Sequence, residues 1–104
     1  MKISVVIFFS LILLIGCDNP QVVRDGQAIY YQSCVSCHDR GHGGAPVLGD
    51  DKAWSLRLSK GKAQLLENLK QGYNSMPAKG ACFDCSDQEL EMVLEFIILE
   101  SKLK

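Results

Sequence analysis

Hydrophobic and polar positions change period several times along the chain, and the changes mark out its elements. After Met1-Lys2 an apolar run extends from Ile3 to Ile15, broken only by Ser4 and Ser10. A charged start followed by a core of this length has the form of a signal peptide; a membrane-spanning helix needs about 20 apolar residues. A first helix is expected from about Val23 or Arg24 to Ser33, with Ala28, Ile29 and Tyr30 as its apolar content. Gly26 lies one helical turn before Tyr30 on the same face. A mid-helix glycine costs about 1 kcal/mol against alanine, so it points either to close approach of another backbone or to a frayed helix start.

Beyond His38, Asp39-Arg40-Gly41-His42-Gly43-Gly44-Ala45-Pro46 is too rich in glycine and proline to be anything but a loop. Asp50 or Asp51 can cap a short helix through Trp54 and Leu58 to about Ser59, ended by Gly61. A further helix, Lys62 to Gln71, sets Leu65, Leu66 and Leu69 on one side and stops at Gly72. Tyr73-Asn74-Ser75-Met76-Pro77 is irregular again.

The last helix has the clearest pattern. Ser86-Asp87-Gln88-Glu89 has the form of a capping box, and Leu90, Val93, Leu94, Ile97 and Ile98 follow a helical stripe with Glu91 and Glu95 opposite. Phe96 widens the apolar face enough to touch two neighbours. The pattern as a whole predicts an all-α fold of about four short helices, with no convincing strand.

Composition narrows this reading. A chain of 104 residues supports one small domain, and once the apolar leader is discounted its core is marginal for independent stability. Removing residues 1–16 takes away Lys2 and leaves 10 basic against 12 acidic side chains, a net charge of about −2. No basic stripe is present, which argues against a nucleic-acid partner.

The cysteines carry the chemistry. Cys34-Val35-Ser36-Cys37-His38 reads C-x-x-C-H, the pattern of covalent haem attachment. Two thiols at this spacing can add to the two vinyl groups of one porphyrin, and the adjacent imidazole can then bind the iron. A C-x-x-C alone could also be a redox dithiol or half a zinc site. The apolar leader ends in Leu14-Ile15-Gly16-Cys17, which resembles a bacterial lipobox. In such precursors the cysteine is acylated and the peptide before it removed, so Cys17 is the expected lipidation site. Two or three acyl chains anchor stably, whereas one holds marginally. Asp18 resembles a signal for inner-membrane retention. Residues 17–23 then form a short tether, and export to an oxidising compartment follows.

A second axial ligand is expected from a loop far along the chain, and Met76 fits. A thioether is a soft ligand that raises the reduction potential of a haem also held by histidine. Its rivals are Met92, His42 and a vacant site. Met92 falls within the last helix, and His42 is too near His38 to reach the opposite face of the ring.

The sequence resembles the small class I bacterial cytochromes c, of the cytochrome c5 type, over about residues 24–101. The resemblance rests on Cys34-Val35-Ser36-Cys37-His38, Gly44-Ala45-Pro46-Val47-Leu48-Gly49-Asp50, Lys52-Ala53-Trp54, Ser75-Met76-Pro77-Ala78-Lys79-Gly80 and Cys82-Phe83-Asp84-Cys85-Ser86-Asp87. It implies helices wrapped on one covalent haem c, with Cys34 and Cys37 as attachment sites and His38 and Met76 as iron ligands. It implies further that the Pro46 carbonyl accepts a hydrogen bond from the other ring nitrogen of His38. Gly26, Tyr30 and Phe96 match its contact between first and last helices. Trp54 is read as a buried wall of the haem pocket, with a docking or electron-path role as its rival. A disulfide between Cys82 and Cys85 is implied by the same resemblance; their rival role is a redox dithiol at a helix start. The lipobox departs from the plain secretory signal of this family.

The domain scheme is thus a lipoprotein signal peptide at 1–16, an anchored linker at 17–23 and a cytochrome c domain at 24–104. The function expected is one-electron transfer, without enzymatic activity, at the periplasmic side of the bacterial inner membrane. The partners expected are membrane-bound: a quinol-oxidising complex, a terminal oxidase or a reductase. A haem peroxidase or ligand sensor with an open iron site, and a thiol or metal module using both C-x-x-C pairs, are the alternatives.

Overall fold

In a computed structural model, which describes residue 16 and residues 22–102, Asp25 sets where the first helix begins. Its side chain accepts a hydrogen bond from the Ala28 amide at 2.7 Å, which satisfies one of the amides that a helix start leaves without a partner. α1 (Gly26–Ile29) passes through a π-helical turn, Tyr30–Cys34, into α2 (Val35–His38). The helical stretch therefore starts after the expected Val23 or Arg24, and it runs on through the Cys34–His38 motif instead of ending at Ser33. Asp25 accounts for the start. At the far end the wider π turn absorbs an extra residue, so the backbone bonding continues.

α3 (Asp51–Leu58) is capped by Asp50, whose carboxylate accepts from the Ala53 amide at 3.1 Å. α4 (Lys62–Gln71) lies between Gly61 and Gly72. α5 (Asp87–Lys102) opens with the reciprocal bonds of a capping box. The Glu89 amide donates to Ser86 Oγ at 3.1 Å, and the Ser86 amide donates to Glu89 Oε1 at 3.0 Å. Among the described residues there is no strand, only an isolated bridge between Tyr73 and Met76. This is the all-α fold the periodicity predicts. Residues 1–15 of the expected signal peptide, Cys17 and most of the expected tether lie outside the described residues, as do the last two residues of the domain.

α1 and α5 cross at Gly26. A Cβ there would stand 2.2 Å from the Met92 carbonyl oxygen and 3.1 Å from Phe96 Cβ, so only glycine lets the two backbones approach this closely. Phe96 meets the Tyr30 ring at 5.5 Å and the Tyr31 ring at 6.5 Å between centroids. The stripe of Leu90, Val93, Leu94, Ile97 and Ile98 is buried with Ile29, Tyr30, Trp54 and Leu69 in one core.

The start of the domain is tied to the same helix. Arg24 donates to Glu89 from its backbone amide at 3.1 Å and from Nε at 2.7 Å, while its outer nitrogens reach Asp84 and Gln32. The hydrogen bond from Arg24, helped by the Ser86 amide, holds the Glu89 carboxyl down at about 2. Glu89 closes the capping box and binds the chain entry at once.

Candidate haem site

His38 ends α2 with its side chain buried. Its Nδ1 lies 2.8 Å from the Pro46 carbonyl oxygen. A carbonyl only accepts, so Nδ1 carries the proton and the lone pair of Nε2 is left to act as a ligand. A partner of this kind also fixes the orientation of the ring. The loop is held against α2 by the Leu48 amide, which donates to the His38 carbonyl at 2.9 Å. Trp54 Nε1 donates to the Val47 carbonyl at 2.9 Å, and its ring stands 5.7 Å from the imidazole. Pro46, Val47 and Leu48 are thus folded back onto the histidine by three backbone carbonyl and amide groups.

Cys34 is buried and Cys37 exposed. They sit one helical turn apart, the spacing at which side chains share a face. Burial, and then the neighbouring Cys37, push the Cys34 thiol up to about 11, so it is neutral at pH 7.

The Met76 loop is shaped by its backbone. Gly72 has φ +89, and a Cβ there would lie 2.8 Å from the Met76 carbonyl oxygen. Tyr73 and Met76 exchange amide-to-carbonyl bonds at 3.0 and 2.9 Å, and Ser75 Oγ donates across to the Gly43 carbonyl at 3.2 Å. The following turn, Ala78–Ala81, holds Lys79 at φ 59 and Ala81 at φ 64, a left-handed conformation that costs energy for a residue with a Cβ. A side chain on Gly80 would meet Met76 Cε at 3.7 Å and Cys34 Sγ at 4.0 Å. Met76 and Cys34 therefore converge over one bare stretch of backbone.

The two other ligand candidates are placed elsewhere. His42 is exposed in the glycine loop, and Met92 lies on α5 where its carbonyl faces Gly26. The donor set that comes together fits a covalently held haem. Two thiols lie one turn apart, an imidazole beside them keeps one nitrogen free, and a thioether converges with the first thiol.

The structure joins Cys82 to Cys85, with Cα atoms 5.4 Å apart and both residues buried. Lys79 Nζ donates to the Cys85 carbonyl at 3.1 Å, and Arg24 Nη2 is 3.6 Å from Cys85 Sγ. Asp84 completes a cluster with metal-ligand spacing, but two sulfurs bonded to each other offer no thiolate to a metal.

Several working residues escape sequence reasoning. Arg24 and Glu89 are far apart in the chain, and Glu89 reads only as a capping residue. Val47 acts through its carbonyl, which carries no side-chain signal. Gly80 had a cue, since it sits in the Ser75-Met76-Pro77-Ala78-Lys79-Gly80 block, but its part is visible only in three dimensions.

Comparison with known proteins identifies the family. Residues 21–97 match the family model described as cytochrome C oxidase, cbb3-type, subunit III. Cytochrome c5 of Azotobacter vinelandii is 40% identical over 73 residues, which cover 68% of this chain and 88% of that one. Cytochrome c-555 of Chlorobaculum tepidum is 35% identical over 81 residues, 74% of this chain and 75% of that protein. Among solved structures, a mono-heme ferrocytochrome c from Shewanella putrefaciens superposes with a TM-score of 0.65 at 39% identity, covering 71% of this chain and 91% of its own. A cytochrome c solved in an electron transfer complex with nitrite reductase gives 0.70 at 30% identity, covering 73% and 93%. These are electron-transfer proteins, not enzymes. The chain belongs to the class I c-type cytochromes, resembles cytochrome c5 among them, and takes one covalent haem c as its cofactor.

Proposed function

We propose that this cytochrome is a lipid-anchored one-electron carrier of a bacterial respiratory chain, held at the periplasmic face of the inner membrane. The observation that carries the reading is the donor set. His38 has Nδ1 engaged by the Pro46 carbonyl at 2.8 Å and Nε2 free. Met76 meets Cys34 across Gly80. In this reading Cys34 and Cys37 would hold the porphyrin through thioethers, and His38 and Met76 would hold the iron. The bound haem would supply a reversible Fe(III)/Fe(II) couple. Trp54 and the Pro46–Leu48 loop keep the imidazole from turning, which limits reorganisation when the charge changes. The Cys82–Cys85 disulfide closes the short loop between the turn after Met76 and the start of α5.

The anchor rests on Gly16-Cys17 at the end of the apolar leader. Tethering raises the effective concentration of a carrier at membrane-bound donors and acceptors. Redox enzymes are the partner class this supports, since one structural neighbour was solved in a complex with nitrite reductase and the matching family model is named for an oxidase subunit. The mass of the membrane-purified protein tests the reading. It should equal residues 17–104 plus one haem and the acyl groups, with Cys82 and Cys85 oxidised. A haem-bearing chain without acyl groups would refute the anchor alone; an acylated chain without haem would refute the carrier.

A further inference from the structure

Exposed apolar side chains that stand singly need no explanation, and Leu56 on α3, 70% exposed, is one of these. The α1–α5 face is different. Tyr31 and Leu99 are 57% and 51% exposed, and half-buried Phe96 and Met92 join them. A groove of about 390 Å³ runs between Gly26 and Gln27 on one side and Met92, Phe96 and Leu99 on the other. Val22 and Val23 are exposed just before it, where the chain enters the domain.

The tether says what covers this face. Only Asp18 to Val23 separate Cys17 from Arg24, which is at most about 20–25 Å of extended chain. Arg24 is clamped to α5 through Glu89, so the root of the tether is fixed beside the groove and cannot wander over the surface. Asp25 and Glu95 also line the groove, with Glu91 beside it and Lys62 bonded to Glu95. The face is net acidic, so attraction to lipid is apolar and is opposed by anionic headgroups.

We infer that the α1–α5 face rests on the lipid surface, with Tyr31, Met92, Phe96 and Leu99 at the boundary between headgroups and acyl chains. The inference rests on the lipid anchor proposed above. Cys34 to His38 occupy the other end of the same helical stretch, about 12–18 Å from Gly26 at 1.5 Å per residue, where Cys37 is exposed.

The test uses the mature, haem-loaded, lipidated protein on phosphatidylcholine vesicles. Leu99→Cys and Leu56→Cys are each reacted with a bulky water-soluble maleimide. On a domain held clear of the bilayer the two sites react at similar rates; resting on it should slow the Leu99→Cys site by about ten-fold, because its side chain leaves water. Equal rates on protein that floats with the vesicles overturn the pose and leave the anchor standing. Protein that does not float refutes the anchor, and the pose with it. Slowing that disappears as the lipid-to-protein ratio is raised assigns the face to a second copy, and that too overturns the inference.

Discussion

The two ends of this molecule are held together in different ways. Where α1 crosses α5, the polypeptide supplies everything itself: backbones in direct contact at Gly26, a ring cluster around Phe96, a closed capping box and the Arg24–Glu89 clamp. Around Met76 and Pro46 there is little regular structure. Turns, left-handed residues and bonds from single amides hold the chain in place. The first region is a scaffold that apolar burial can fold. The second is a cradle of loops; in the proposed function the haem would fill it, and without it apolar burial is marginal for a domain of this size.

That contrast can be broken from the scaffold side, and the largest effect is expected at Gly26. Helix propensity alone says that Gly26→Ala should stabilise slightly, since alanine is the better helix former. The crossing says the reverse, because the new Cβ would stand 2.2 Å from a backbone oxygen that cannot rotate away. We expect a loss of about 3 kcal/mol or more, read by denaturant unfolding of the haem-loaded protein. A gain in stability would show that the helices are not locked at this point.

A smaller effect is expected at Glu89. Its carboxyl is held at about 2 against an ordinary value of 4.5, chiefly by the hydrogen bond from Arg24. A depressed acid contributes stability above its unfolded value and loses it as the pH falls through its folded one. Glu89→Gln should therefore melt below the parent protein at neutral pH, and the gap should close between about pH 4.5 and 2. Thermal melts of the two proteins across that window check this; a gap that does not change with pH would show that the carboxylate charge is not what matters.

The scaffold was also the more legible region. α5 could be read at both levels because its cap and its stripe are local patterns, and the same locality made Asp50, Gly61 and Gly72 visible as boundaries. The π turn in Tyr30–Cys34 was not legible, since a single wider turn leaves no period of its own in the sequence. Asp25 is not legible as the cap, because apolar periodicity does not show which polar residue before it will cap. The Arg24–Glu89 clamp pairs residues at opposite ends of the domain, and no short-range pattern links them. In the cradle, Cys34, Cys37 and His38 announce themselves by chemistry. Met76 is marked by its loop setting and family resemblance, whereas Pro46 is marked by resemblance alone and Val47 and Gly80 act through backbone that a sequence does not display.

The central claim is that His38 and Met76 together complete the coordination of one haem on this chain. The absorption spectrum of the oxidised protein tests it most directly, recorded for the parent and for Met76→Ala. The parent should be low-spin with a sulfur-to-iron charge-transfer band. The variant should lose that band and keep its covalent haem and helical circular dichroism, because the scaffold does not depend on the sixth ligand. A parent protein with a high-spin spectrum, or a band that survives in Met76→Ala, would contradict the assignment of Met76.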